Sequence, residues 1–81
     1  MNYILKVITR YKENNGNTAR SWAFMHYEEA CKKMVENLES LNRQLMVTDL
    51  TDVTGYTIML TEWLGGNKYE KVAWINYDMA L

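Results

Sequence analysis

The spacing of apolar residues from Tyr27 to about Arg43 predicts an amphipathic helix. Apolar side chains recur with the i, i+3, i+4, i+7 spacing of one helical face. They are Tyr27, Ala30, Cys31, Met34, Val35, Leu38 and Leu41. Charged residues occupy the opposite side, and His26 stands at the predicted N-cap with Glu29 three residues later. One face of this helix is therefore expected to cover a core and the other to face water.

Two pairs of strand-like segments flank this helix. Segments rich in β-branched and aromatic residues predict strands from Tyr3 to Tyr11, Thr18 to Met25, Tyr56 to Trp63 and Tyr69 to Tyr77. Asn- and Gly-rich turns at residues 13–17 and 64–67 join each pair. Residues 46–48 allow a further short strand, and residues 49–52 are typical of a turn or loop.

This order predicts a single α+β domain over residues 1–81. A ββαββ sequence of elements favours a four-stranded antiparallel sheet with the amphipathic helix packed on one face. A single helix covers one face of such a sheet, so the other face depends on water or on a partner.

The helix-free face of this sheet is the candidate functional surface. Alternation along the strands leaves it with large apolar side chains among Lys6, Arg10 and Lys71. We expect the uncovered patch to exceed the few hundred Å² above which exposed apolar surface marks an interface. The alternative is that strand twist, residues 45–55 and long side chains cover it. Its candidate contacts are Ile8, Met59, Trp63 and Ile75, with Arg10 and Lys71 at the rim.

Composition and charge narrow the class of protein. With 81 residues, 48% hydrophobic residues and a net charge of −1, the chain is expected to be globular and lacks a general attraction for nucleic acid or anionic membranes. The single cysteine, Cys31, excludes an internal disulfide and is typical of a reducing cytosol. Neither a membrane-spanning run of about 20 apolar residues nor a signal peptide is recognisable. A cytoplasmic location is therefore expected.

No pattern of residues indicates catalysis, a metal site or a cofactor. His26 and Cys31 are five positions apart, which turns their side chains about 140° away from each other on a helix. Asp49 and Asp52 are the candidates for an acid/base pair with another carboxylate, but their segment is typical of a structural loop. We expect a protein that is not an enzyme.

Two kinds of binding remain. Six tyrosines and three tryptophans supply the rigid contact area that protein interfaces favour, either with another protein or with a second copy in a homodimer. The alternative is a small nucleic-acid-binding regulator that uses the basic first hairpin, with Arg10, Lys12 and Arg20 near Tyr11 and Trp22. The slightly acidic net charge favours the protein partner.

The junction from Trp22 to Ala30, where a strand ends in Phe24 and Tyr27-Glu28-Glu29-Ala30 opens the helix, resembles one found in small phage and mobile-element proteins. The ββαββ layout is also similar to that of small anti-CRISPR and other anti-defence proteins. That resemblance implies a stoichiometric inhibitor that occludes a bacterial defence protein in the host cytoplasm and so serves evasion of antiviral defence. Because such proteins share no common active site, it assigns no functional residue.

Overall fold

The computed structural model describes residues 2–12, 16–46 and 53–78. Its elements are β1 (Tyr3–Tyr11), β2 (Asn17–Phe24), α1 (Tyr27–Met46), β3 (Val53–Gly65) and β4 (Lys68–Asp78). The predicted α+β class and ββαββ order are confirmed. The helix is longer than predicted, ending at Met46, and residues 47–52 lie outside the described residues, as do residues 13–15 of the first turn.

The four strands form one antiparallel sheet in the order β2-β1-β3-β4. Each hairpin places its own strands side by side, and the helix returns the chain to the free edge of β1, so that β3 pairs there. Leu5 lies opposite Leu60, and Val7 lies opposite Ile58. The two central strands thus carry the apolar centre of the sheet, and β2 and β4 form its edges.

The core lies between α1 and the middle of this sheet. Leu5, Ile58 and Leu60 are fully buried, and the helix contributes Ala30 and Leu41 to the same cluster. Fully burying one such aliphatic side chain contributes roughly 1.5–3 kcal/mol. Cys31, Met34 and Leu38 pack against the same cluster, so most of the predicted apolar stripe covers one side of the sheet. Tyr27 and Val35, predicted on the same stripe, are instead 48% and 47% exposed.

A β-bulge in β4 places Ile75 on the side of the sheet opposite to the predicted one. Leu60 pairs with Ala73, but Thr61 pairs with Lys71, so Val72 is an extra residue between the two pairs. An extra residue exchanges the sides to which the residues beyond it point. Ile75 consequently pairs with buried Ile58 and packs against the core under the helix. Its predicted position on the helix-free face is wrong.

The β3–β4 hairpin extends beyond the first two strands. β3 has 13 residues and β4 has 11, whereas β1 has nine and β2 has eight. Pairing between β1 and β3 ends near Asn2, whose carbonyl accepts a hydrogen bond from the Trp63 amide. The turn uses Gly65 and Gly66 at φ values of 109° and 56°, which glycine adopts without a steric penalty. Among the described residues, no helix has the length and apolarity to cross a membrane.

Candidate interaction surface

The side of the sheet opposite the helix, here called the open face, consists of four rows that cross all four strands. Cross-strand partners share a face of the sheet, whereas neighbours along a strand alternate between the two. The rows are Ala23, Ile4, Thr61 and Lys71; Ser21, Lys6, Met59 and Trp74; Ala19, Ile8, Thr57 and Asn76; and Asn17, Arg10, Gly55 and Asp78.

Apolar side chains occupy the middle of the open face. Ile4, Ile8 and Met59 are half-buried among their neighbours, while Trp74, the partner of Met59, is 56% exposed. The predicted contacts Ile8 and Met59 thus lie in adjacent rows. Trp74 was not predicted here, because its position depends on the bulge at Val72. It is the largest apolar side chain on this face.

Two lysines accompany this apolar centre. The Nζ atom of Lys71 lies 4.8 Å from the centroid of the Trp74 ring, a cation–π arrangement that is worth about 0.5–1 kcal/mol at an exposed site. Lys6 is exposed beside Met59. Neither lysine forms an ion pair with a residue in the described part of the chain. The open face therefore presents aromatic and aliphatic surface with positive charge.

Arg10, predicted at the rim, is instead occupied by contacts within the sheet. Its Nε donates to Asp78 Oδ1 at 2.7 Å and its Nη1 to Thr57 Oγ1 at 2.8 Å. Its Nη2 donates to the carbonyl oxygens of Tyr56 and Tyr77 at 2.9 and 2.8 Å. This side chain ties β1 to β3 and β4, and each of its three nitrogens already donates within the sheet. Its role is structural.

The end of the long hairpin carries a second group of exposed apolar side chains, here called the hairpin tip: Trp63, Leu64 and Tyr69. They are 41%, 54% and 57% exposed, respectively. Trp63 and Tyr69 are cross-strand partners, and the indole Nε1 of Trp63 donates to the Gly66 carbonyl at 2.9 Å. This bond holds the ring in a defined position. Sequence reasoning named Trp63 but not its two companions.

The basic residues of the first hairpin do not form one patch. Arg10 belongs to the open face, whereas Arg20 pairs with Val7 and so lies on the helix side of the sheet. Lys12 is exposed at the end of β1. Because the two arginines point to opposite sides and Arg10 is hydrogen-bonded within the sheet, they do not form a common phosphate-binding surface.

The candidates for chemistry stay apart. His26 is exposed beside the helix start, and Cys31 is half-buried against the core cluster. Within residues 2–12, 16–46 and 53–78, no group of three His, Cys, Asp or Glu side chains is placed to hold a metal ion. Asp49 and Asp52 lie outside the described residues.

Comparisons with protein-family models, curated proteins and solved structures find no match to this chain.

Proposed function

We propose that this chain is a non-enzymatic protein-binding module that buries its open face and hairpin tip against a partner protein. The observation that carries the proposal is the exposure of Trp63, Leu64, Tyr69 and Trp74, at 41–57%, along one long hairpin. Along the open side of β4, Tyr69, Lys71 and Trp74 follow one another, and Trp63 lies opposite Tyr69. These residues make one continuous surface.

The chemistry of this surface fits protein recognition. Tryptophan and tyrosine dominate the residues that carry binding energy at interfaces, because each buries a large area at a small cost in conformational entropy. The Nε1–Gly66 bond pre-orders the Trp63 ring, which lowers the ordering cost further. Lys6 and Lys71 favour a partner whose contact surface is apolar with acidic residues around it.

The outer edge of β4 extends the same surface. β4 has 11 residues and pairs only with β3 within the described part of the chain, so one side of its backbone has no strand partner. Such an edge is a template for an added strand from another protein. The exposed side chains of Tyr69 and Trp74 would flank that added strand.

The specific form of this proposal is an inhibitor of a bacterial defence protein, encoded by a phage or mobile element and acting in the host cytoplasm. The resemblance of the β2–α1 junction and of the ββαββ layout to anti-defence proteins supports it. A small module with a preformed apolar surface suits inhibition by occlusion, in which one inhibitor covers one target.

The test is capture of partners from bacterial lysate by the tagged wild-type chain and by the double variant Trp63→Ala/Trp74→Ala. We expect the double variant to lose the captured protein while its circular dichroism and unfolding midpoint stay near those of the wild type. Met25→Ala/Val35→Ala is the matched control, because it removes exposed apolar surface outside the open face and the hairpin tip. Equal capture by the Trp63→Ala/Trp74→Ala variant would refute the proposed surface.

Two other binding partners, a second copy of the chain and a nucleic acid, can be distinguished with the same purified protein. A concentration-dependent dimer in analytical ultracentrifugation, lost in Trp63→Ala/Trp74→Ala, would identify the partner as a second copy of the chain. Binding of a single-stranded oligonucleotide that weakens steeply with added salt would instead support the nucleic-acid alternative. Loss of that binding in Lys12→Gln would locate it at the first hairpin.

A further inference from the structure

A polar cleft lies on the helix side of the sheet, between the β1–β2 hairpin and the C-terminal half of α1. Its volume is about 140 Å³, whereas one water molecule needs only about 10–15 Å³ of such space. The polar side chains that line it are Thr9, Thr18, Arg20, Asn37, Ser40 and Gln44. The cleft therefore has room for a small molecule.

The sequence of the helix explains why this end of the core is open. Asn37, Ser40 and Gln44 are spaced three and four residues apart, so they share one side of α1. That side faces Thr9 and Thr18, which are cross-strand partners at the far end of the first hairpin. Short polar side chains from both elements meet where a core would carry aliphatic ones.

Two of the lining groups have no internal partner. Thr9 is only 8% exposed, and its hydroxyl makes no hydrogen bond with any residue in the described part of the chain. Among the described residues, no side-chain oxygen or nitrogen that is shut off from water lacks a hydrogen-bond partner, so the Thr9 hydroxyl still reaches solvent and is open to a ligand. Arg20 likewise forms no ion pair or hydrogen bond among the described residues, in contrast to Arg10 on the same hairpin. Both groups line the same cleft.

The remaining groups limit the charge of a ligand. Arg20 is the only charged side chain among the described residues that line the cleft. The Asn37 Nδ2 donates to the Lys33 carbonyl at 2.9 Å, which leaves its Oδ1 available as an acceptor. A single planar guanidinium matches a carboxylate in both geometry and charge. A phosphate dianion would keep an uncompensated charge.

We propose that this cleft binds a free small carboxylic acid. The carboxylate pairs with the Arg20 guanidinium at the mouth, the Thr9 hydroxyl donates to the ligand inside, and Asn37 Oδ1 accepts from a polar group elsewhere on the ligand. This site lies on the opposite side of the sheet from the open face. It does not rest on the proposed protein-binding function, and Trp63→Ala/Trp74→Ala leaves it intact.

The test is a titration of the ¹⁵N-labelled chain with sodium acetate and with sodium L-glutamate, against sodium chloride at equal ionic strength. We expect saturable amide shifts at Thr9, Thr18, Arg20 and Asn37. Arg20→Gln should weaken the binding at least about tenfold, because it removes the charge-assisted pair. Lys12→Gln, the matched control, removes an exposed charge from the same hairpin outside the cleft and should leave the affinity unchanged.

Thr9→Val provides a variant that keeps the shape of the side chain and the fold. It should leave the unfolding midpoint unchanged or raise it, since the hydroxyl has no internal partner, and should weaken the binding several-fold. No saturable shift with either carboxylate, or equal affinity in Arg20→Gln, would overturn the proposal. Tighter binding of inorganic phosphate would overturn the carboxylate assignment. Tighter binding of a blocked glutamate-containing tripeptide than of free glutamate would make the ligand a side chain of another protein.

Discussion

The row of Arg10, Gly55 and Asp78 predicts that Gly55→Ala destabilises the fold. A Cβ at Gly55 would lie 2.5 Å from the Tyr77 carbonyl oxygen and 2.6 Å from Asp78 Oδ1. Ordinary van der Waals contact begins at 3.4 Å, so the Tyr77 oxygen would have to move by about 0.9 Å. The same two oxygens accept hydrogen bonds from Arg10 at 2.8 and 2.7 Å. Relieving the clash therefore strains or breaks these bonds.

The size of the effect follows from three contributions. Forcing an extra carbon against the backbone costs about 1–3 kcal/mol. Weakening the bonds of Arg10 adds about 1 kcal/mol, discounted because the Asp78 side chain is 63% exposed. The opposing contribution is the lower unfolded-state entropy of alanine, which stabilises by about 0.4–1 kcal/mol. The balance is a loss of about 1–3.5 kcal/mol.

Urea unfolding followed by far-UV circular dichroism and tryptophan fluorescence measures this loss. Arg10→Met is the companion variant, because it removes the same hydrogen bonds without adding an atom at Gly55. The double variant should lose less than the sum of the two single variants, since Asp78 can then swing away from the new methyl group. A Gly55→Ala variant more stable than the wild type would refute the predicted clash at Gly55 and its coupling to the hydrogen bonds of Arg10.

Two further predictions follow from the fold. Ile75→Asp should lower the free energy of unfolding by about 3 kcal/mol or more, because Ile75 packs against the core. Trp74→Asp should lower it by less than about 1 kcal/mol, because Trp74 is exposed. Equal losses of the two variants in thermal unfolding would contradict the bulged register. Burial raises the pKa of the Tyr56 phenol above its usual value of about 10, and the neighbouring Tyr77 adds to the rise. Because the folded state favours the protonated phenol, this stabilisation is complete below pH 10 and is lost as the pH rises through the higher folded value. The pKa values of Tyr3 and Tyr27 are raised as well, so ultraviolet titration of the folded chain should show a late-ionising phase from several tyrosines. Tyr56→Phe should remove absorbance change from this late phase, and loss of the change from the phase at about pH 10 instead would refute the assignment.

The helix and the existence of four strands were predictable because each depends on local periodicity. The spacing from Tyr27 to Leu41 is helical, and β1 was predicted with the bounds that the structure shows. The bulge at Val72 was not predictable, because no glycine, proline or break in composition marks it. One unmarked residue was enough to exchange the predicted sides of Trp74 and Ile75.

The roles of individual polar residues depend on partners that are distant in sequence. Arg10 reads as one more charge on a strand, yet its acceptors lie 46 to 68 residues away. Thr9 offered a weak local signal, since it continues the alternation of Leu5 and Val7 and so places a hydroxyl among core positions. Whether its hydroxyl finds a hydrogen-bond partner depends on the residues of α1 that line the same cleft. The sequence alone does not show which residues those are.

The bulge at Val72 brings Lys71 and Trp74 to the same side of the sheet. In a regular strand, Trp74 would share a side with Val72 and Ile75 would share one with Lys71, so only one of these two sets could face the core. The extra residue lets Ala73 and Ile75 pack against Leu60 and Ile58, while Lys71 and Trp74 both reach the open face, where the ammonium group lies over the indole. A regular register that kept Ile75 in the core would keep Trp74 exposed but turn Lys71 toward the helix side. The pairing of an exposed tryptophan with a lysine on the open face thus follows from the irregular register itself.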